Sequence, residues 1–238
     1  MGKRLEFEER FTQAKEEIKS YNEKNYSFEK MTKILKEYIF EFISDINNKQ
    51  VISLNAVYEY NLAELYHLNS NNQDYHINEF LMTKLLPNYN PLEILSNDSL
   101  HYVYVVQRFD GMVCVVGRSQ FSTSSKINVQ NAINKDSKLS TFNIEIESSI
   151  DKIGDLFMTI VPSSPLNLTG TQKLIYKLLN QSEKDFESIT KDMKNYYAQA
   201  FVIPVKGGKN MADTIESLLG EYLLSKSINI LNIDSHLW

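Results

Sequence analysis

Residues 102 to 118, YVYVVQRFDGMVCVVGR, constrain this chain more than any other stretch. Two runs rich in Val and Tyr flank Asp110-Gly111, and an Asp-Gly pair between apolar runs is a strong short-range signal for a tight antiparallel hairpin. Neither run alternates apolar with polar residues, as a strand with one wet face does. Both strands are therefore expected in the middle of a sheet, covered on each side. Cys114, the single cysteine, lies inside the second run. No bridge within the chain can form, and a buried structural thiol in a reducing, intracellular setting is the reading.

The hairpin needs layers to cover it, and the first third of the chain reads as helix. In residues 4 to 21, Phe7, Phe11, Ala14, Ile18 and Tyr21 recur at helical spacing, with Glu8, Glu9, Lys15, Glu16 and Lys19 on the other face. Residues 28 to 46 follow Ser27, a good N-cap, and carry a broad apolar face from Met31 through Leu35, Phe42 and Ile43 to Ile46. A third helix is expected over about 50 to 66, with Val51, Leu54, Val57, Leu62 and Leu65 inward. A polar loop over 67 to 76 and a short helix over 77 to 86 follow. The PNYNP segment at 87 to 91 is the best boundary available.

After the hairpin, Phe142, Ile144 and Ile146 alternate with Asn143, Glu145 and Glu147, a strand with one wet face; Leu156 to Val161 reads as a fourth strand. Residues 171 to 180 and 183 to 196 form a helical pair, the second capped by Ser182 with Asp185 in its first turn. The chain closes with strand AFVIPV, loop KGGKN, helix 211 to 225 and strand INILNI. The expected class is α+β: a helical N-terminal layer, residues 1 to 96, packed on a mainly antiparallel sheet within residues 97 to 238, with C-terminal helices and a terminal strand-helix-strand unit.

Length and charge exclude several functions. At 238 residues the chain buries a core without staples. MGKRLEFEERF is charged and amphipathic, and no apolar run serves as a signal peptide or membrane span, so a cytoplasmic, non-membrane protein is expected. Asn-x-Ser/Thr matches such as those at Asn25, Asn97 and Asn167 are then chance matches in a chain with 23 Asn. Four of the 25 basic residues are Arg, and the Asn and Lys bias fits an AT-rich microbial or mobile-element genome. A net charge of -5 disfavours a protein that coats nucleic acid.

With YVY at 102 to 104, VVG at 115 to 117 and Arg118-Ser119 after it, the hairpin resembles the first two strands of GIY-YIG nucleases. Val103 and Val116 stand thirteen positions apart, the spacing of that family's two triplets. The resemblance implies nucleic-acid cleavage, with Tyr104 as the matched catalytic position and Arg118 as a further candidate. Val115 stands where the family has its second catalytic tyrosine. Ser125 and Lys126 stand where its arginine belongs, and Glu183 and Glu187 are only generic choices for its metal-binding glutamate.

A second candidate is VIPVKGGKNMADTIESLL, 202 to 219. A strand entering a Gly-Gly loop that opens a helix exposes backbone N–H groups at the positive end of the helix dipole, and Lys206, Gly207, Gly208 and Lys209 would form a phosphate site. The Walker spacing is absent, as is the third glycine of a dinucleotide fingerprint. Asp213 opposes the site, since it could cap those donors itself and repel a phosphate. Among His67, His76, His101 and His236 no helical metal pair exists, and no metal or cofactor is expected. His236 beside Asp234 reads as a solvated tail. Glu145, Glu147, Asp151 and Asp155 lack the Lys of an Asp...Glu-x-Lys nuclease. Residues 168 to 193 have the cadence of the first two helices of a winged helix-turn-helix, yet strand follows where a recognition helix belongs.

No complete catalytic constellation assembles from these residues. The first reading is therefore a non-enzymatic macromolecule-binding or assembly protein, whose partner is another protein or a second copy of the chain. A nuclease on the hairpin and a phosphate- or nucleotide-binding protein are the alternatives. Fourteen Tyr and twelve Phe supply anchors of the kind protein interfaces favour.

Overall fold

A computed structural model describes residues 6–49, 52, 54, 56–62, 76–77, 81–84, 101–120, 142–143, 168, 170–180 and 184–232. Helix α1 (Phe7–Glu23) opens with the Glu6 N–H donating to the Glu9 carboxylate at 2.8 Å. Helix α2 (Phe28–Asn48) is capped by Ser27, whose side chain accepts from the Lys30 N–H at 3.2 Å, as its sequence predicts. Its stripe of Met31, Leu35, Ile39, Phe42, Ile43 and Ile46 is buried. The expected core positions Leu35, Phe42 and Ile43 are all in it.

Among the described residues, two of the expected helices give strands instead, although Leu62, just after the first of them, is helical. Residues 56–61 of the supposed third helix form β1 (Ala56–Asn61), and the supposed fourth gives β2 (His76–Ile77) and β3 (Leu81–Lys84). The apolar spacing from Val51 to Leu65 fits a helix, but its centre, AVYEYN, carries the strand formers Val57, Tyr58 and Tyr60, and β1 finds backbone partners on both sides. Tertiary pairing overrides the local period. Asn47, at the end of α2, helps end the helical run: its carboxamide accepts from the Leu54 N–H at 2.8 Å and donates to the Leu54 carbonyl at 2.9 Å.

The hairpin is β4 (His101–Arg108) and β5 (Val113–Gln120). Phe142–Asn143 forms β6, paired with β2 in a separate two-stranded sheet. Helices α3 (Gly170–Leu179) and α4 (Phe186–Tyr196) follow, and α4 runs straight into β7 (Tyr197–Val205). The cap of α4 is Asp185, which accepts from the Ser188 N–H at 2.8 Å. Ser182, the expected cap, lies outside the described residues, as do the PNYNP segment and the strand expected at 156 to 161. Helix α5 (Gly208–Ser225) closes the fold and begins inside the supposed loop, leaving only Lys206 and Gly207 between it and β7. Among the described residues, the second strand of the terminal strand-helix-strand arrangement shows as a parallel bridge, Val113 with Ile230.

The main sheet has the order β3-β1-β7-β4-β5, and every pairing in it is antiparallel. The architecture is thus α+β, with the hairpin's first strand between β7 and β5 and buried along its whole length. Because β1 and β3 come from the first 96 residues, the sheet draws on both parts of the chain. Residues opposed in an antiparallel pair share a face. Val103, Ile203 and Arg118 therefore lie on one face, and Tyr104, Val202 and Gly117 on the other. Helices α2 and α5 cover the first face. Thr32 of α2 donates to Gln107 at 3.2 Å, Lys36 pairs with Glu59 at 2.6 Å, and Phe42 of α2 meets Tyr222 of α5 with ring centres 5.5 Å apart.

Candidate functional site

The most elaborate polar construction among the described residues is the hairpin turn. Arg108 ends β4 with its side chain buried, and its guanidinium reaches Asp110 twice: Nε donates to Oδ1 at 2.6 Å and Nη2 to Oδ2. Nη1 donates to the Tyr196 hydroxyl at 3.2 Å. Burial works against the guanidinium's charge. Asp110 and Tyr196 outweigh it and hold the pKa above its ordinary value. Asp110 Oδ1 also accepts from the Met112 N–H at 3.1 Å, and its backbone carbonyl accepts from the Tyr21 hydroxyl at 2.9 Å. Gln107, fully buried, donates to the Gly111 carbonyl at 2.7 Å.

Gly111 explains the Asp-Gly pair. Its φ of 94° is a left-handed conformation, and a Cβ there would sit 2.9 Å from Met31 Cβ and 3.3 Å from the Phe28 backbone. The turn is therefore clamped under the start of α2. Its tip is Phe109, 60% exposed, with its N–H donating to the Tyr196 carbonyl at 3.0 Å and its ring edge-on to Tyr196 at 6.0 Å. Cys114 is buried as expected, and burial pushes its thiol pKa up, so the thiolate is disfavoured.

The two residues singled out by the nuclease resemblance do not meet. Tyr104 is buried, with its ring over Gly117: a Cβ at 117 would lie 2.6 to 3.0 Å from three of its atoms. Glycine at this position, the last residue of the VVG triplet, is what lets the ring lie flat on the neighbouring strand. Arg118 is on the opposite face, where it pairs with Asp213 of α5 and lies 3.9 Å from Glu216.

That pairing changes the other candidate. Asp213 is drawn to Arg118, and the N-cap of α5 is Gly207, which has no side chain to cap it. Gly207 is exposed at φ 104°, and nothing lies within 4 Å of where a Cβ on Gly208 would stand. Lys206 is half-buried and Lys209 exposed beside this opening.

No known family, curated protein or solved structure matches this chain. The likeness to GIY-YIG nucleases rests on the hairpin's own residues. Among the described residues no group of three or more His, Cys, Asp or Glu could hold a metal ion, and no helix is long and apolar enough to cross a membrane. His101 is buried on β4; His67 and His236 lie outside the described residues, with Ser125, Lys126, Glu145, Glu147, Asp151, Asp155, Glu183 and Asp234. Arg108, Phe109 and Tyr196 belong to no site motif legible in the sequence. The available signal was a Gln-Arg pair closing an otherwise apolar strand, which demands buried partners.

Proposed function

We propose that this chain works by binding another macromolecule, a protein partner or a second copy of itself, with Phe109 as the anchor of the contact. The observation that carries this reading is a large aromatic side chain left 60% exposed on a turn that everything around it holds still. Aromatic anchors dominate binding energy when they are presented without an ordering cost. Here the backbone of Phe109 is tied to Tyr196, the Arg108–Asp110 pair fixes the turn, and Gly111 seats it on α2. A photo-crosslinking phenylalanine analogue at position 109 tests it, together with sedimentation velocity of the wild type and Phe109→Ala. The reading expects covalent adducts at 109 and loss of association in Phe109→Ala. Absence of any adduct, with identical sedimentation of the two proteins, overturns it.

A second reading is favoured by the Arg118–Asp213 pair, which removes the acid that opposed an anion at the start of α5. The free N–H groups of the first helical turn, with Lys206 and Lys209, suit a phosphate. A thermal-shift series with sulfate, nucleotides and phosphosugars checks it. A shift that Lys206→Ala/Lys209→Ala abolishes supports the site; no shift in the wild type removes it.

A further inference from the structure

β5 ends the main sheet among the described residues, and an apolar edge strand offers its backbone groups to any second strand. From Val113 to Gly117 it carries neither charge nor proline, and one bulge at Cys114, where the pairing with β4 skips a residue, is the deterrent within the strand itself. The segment after α5 lies along its outer side instead. The Leu231 N–H donates to the Val113 carbonyl at 3.0 Å. Further along, the carboxamide of the buried Asn232 takes both backbone groups of Val116: Oδ1 accepts from the N–H at 3.1 Å, and Nδ2 donates to the carbonyl at 2.8 Å. A carboxamide presents one donor and one acceptor side by side, as a peptide backbone does, so Asn232 substitutes for a neighbouring strand. The segment is held by a few further ties. Lys24 Nζ donates to the Ser227 carbonyl at 2.7 Å, Asn229 donates to Glu17 at 2.6 Å, and Ile228, Ile230 and Leu231 are buried.

We propose that the outer edge of β5 is a strand-pairing edge for a second copy of this chain, and that Leu231 and Asn232 hold it closed. The run VCVV is apolar on both faces, so in a two-fold antiparallel β5–β5 pair it meets itself without unmatched charge. Two backbone hydrogen bonds at Val116 replace the two that Asn232 makes. Phe109 takes no part in this edge, which is separate from the contact proposed there.

Asn232→Ala in the full-length chain tests it by hydrogen exchange at the Val116 amide and by sedimentation velocity over a concentration series. Losing the bonds from Asn232 raises opening of the edge about 10-fold or more. The expected result is faster Val116 exchange at low concentration, a concentration-dependent dimer, and renewed protection of Val116 in that dimer, with Phe109→Ala added to the variant leaving the dimer unchanged. Unchanged Val116 exchange shows that Asn232 does not seal the edge, and fast exchange in a protein that stays monomeric shows that the edge does not pair; either overturns the proposal. Should Asn232→Ala fail to fold, Asn232→Ser, which keeps an acceptor for the Val116 N–H, is read by the same two measurements.

Discussion

Single residues in this fold are constrained by what lies across the strand rather than beside them in sequence. Gly117 is the clearest case, because Tyr104 occupies the space a methyl group would need. Gly117→Ala is expected to cost about 1 to 3 kcal/mol by overpacking. The same substitution made in a Tyr104→Val background should cost far less, because the ring is gone, and denaturant midpoints of the four proteins in the cycle measure the coupling. Tyr104→Phe keeps the ring over Gly117. If the hairpin is only sheet, that variant and the wild type should both leave single- and double-stranded DNA and RNA intact in the presence of Mg²⁺. Cleavage lost in a folded Tyr104→Phe protein would instead favour the nuclease reading. The turn depends on its ion pair in the same cross-chain way. Asp110→Ala strands a buried guanidinium and should destabilise by roughly 2 kcal/mol, less than for a fully buried pair because Asp110 is partly exposed.

Elements follow their own sequence where they bury a wide face and follow their neighbours where they do not. Helix α2 has the cap, the period and a continuous apolar stripe, and it forms where its sequence predicts. Phe42, buried against Tyr222, ties α2 to α5, beside the pair Glu41 makes with Lys226 at the end of α5. Phe42→Ala is expected to lose about 3 to 5 kcal/mol, seen as a lowered urea midpoint with unchanged slope. An unchanged midpoint would mean that this face is not core. Segment 56–61 shows the opposite behaviour: its period fits a helix, but β7 and β3 supply a ladder on each side, and the strand wins.

At the scale of the whole molecule, the end of the sheet near the hairpin turn gathers groups that resist ionisation. Cys114, Tyr21 and Tyr196 all have pKa values raised, chiefly by burial. An acid whose folded pKa lies above its unfolded value binds its proton more tightly in the folded state. Its contribution is fully present below the unfolded pKa and is lost as pH rises through that value towards the folded one. Stability should therefore be level through neutral pH. It should fall from roughly pH 8.5, where unfolded thiols ionise, and more steeply near about 10, where unfolded tyrosines do. Urea midpoints measured from pH 6 to 10.5 check this. Cys114→Ala should delay the onset to the tyrosine range, and an unaltered onset would show that the thiol is not the first group to act.

The sequence by itself determined the elements whose burial is written in local pattern. These are the hairpin with its Asp-Gly turn, the two N-terminal helices with the Ser27 cap, the helical pair before β7, and the α+β class that these imply. Each depends on contacts between residues close in the chain, or on an apolar run too continuous to be exposed. Only the tertiary structure decided β1 and β3, whose pairing with distant strands outweighs a helical period. It also decided that Tyr104 and Arg118 face away from each other and that Asp213 is drawn to Arg118 rather than to its own helix end. The closing of β5 by one asparagine side chain belongs with these. Asn232 and Val116 are 116 residues apart, and no local period or propensity connects a carboxamide to a backbone at that separation.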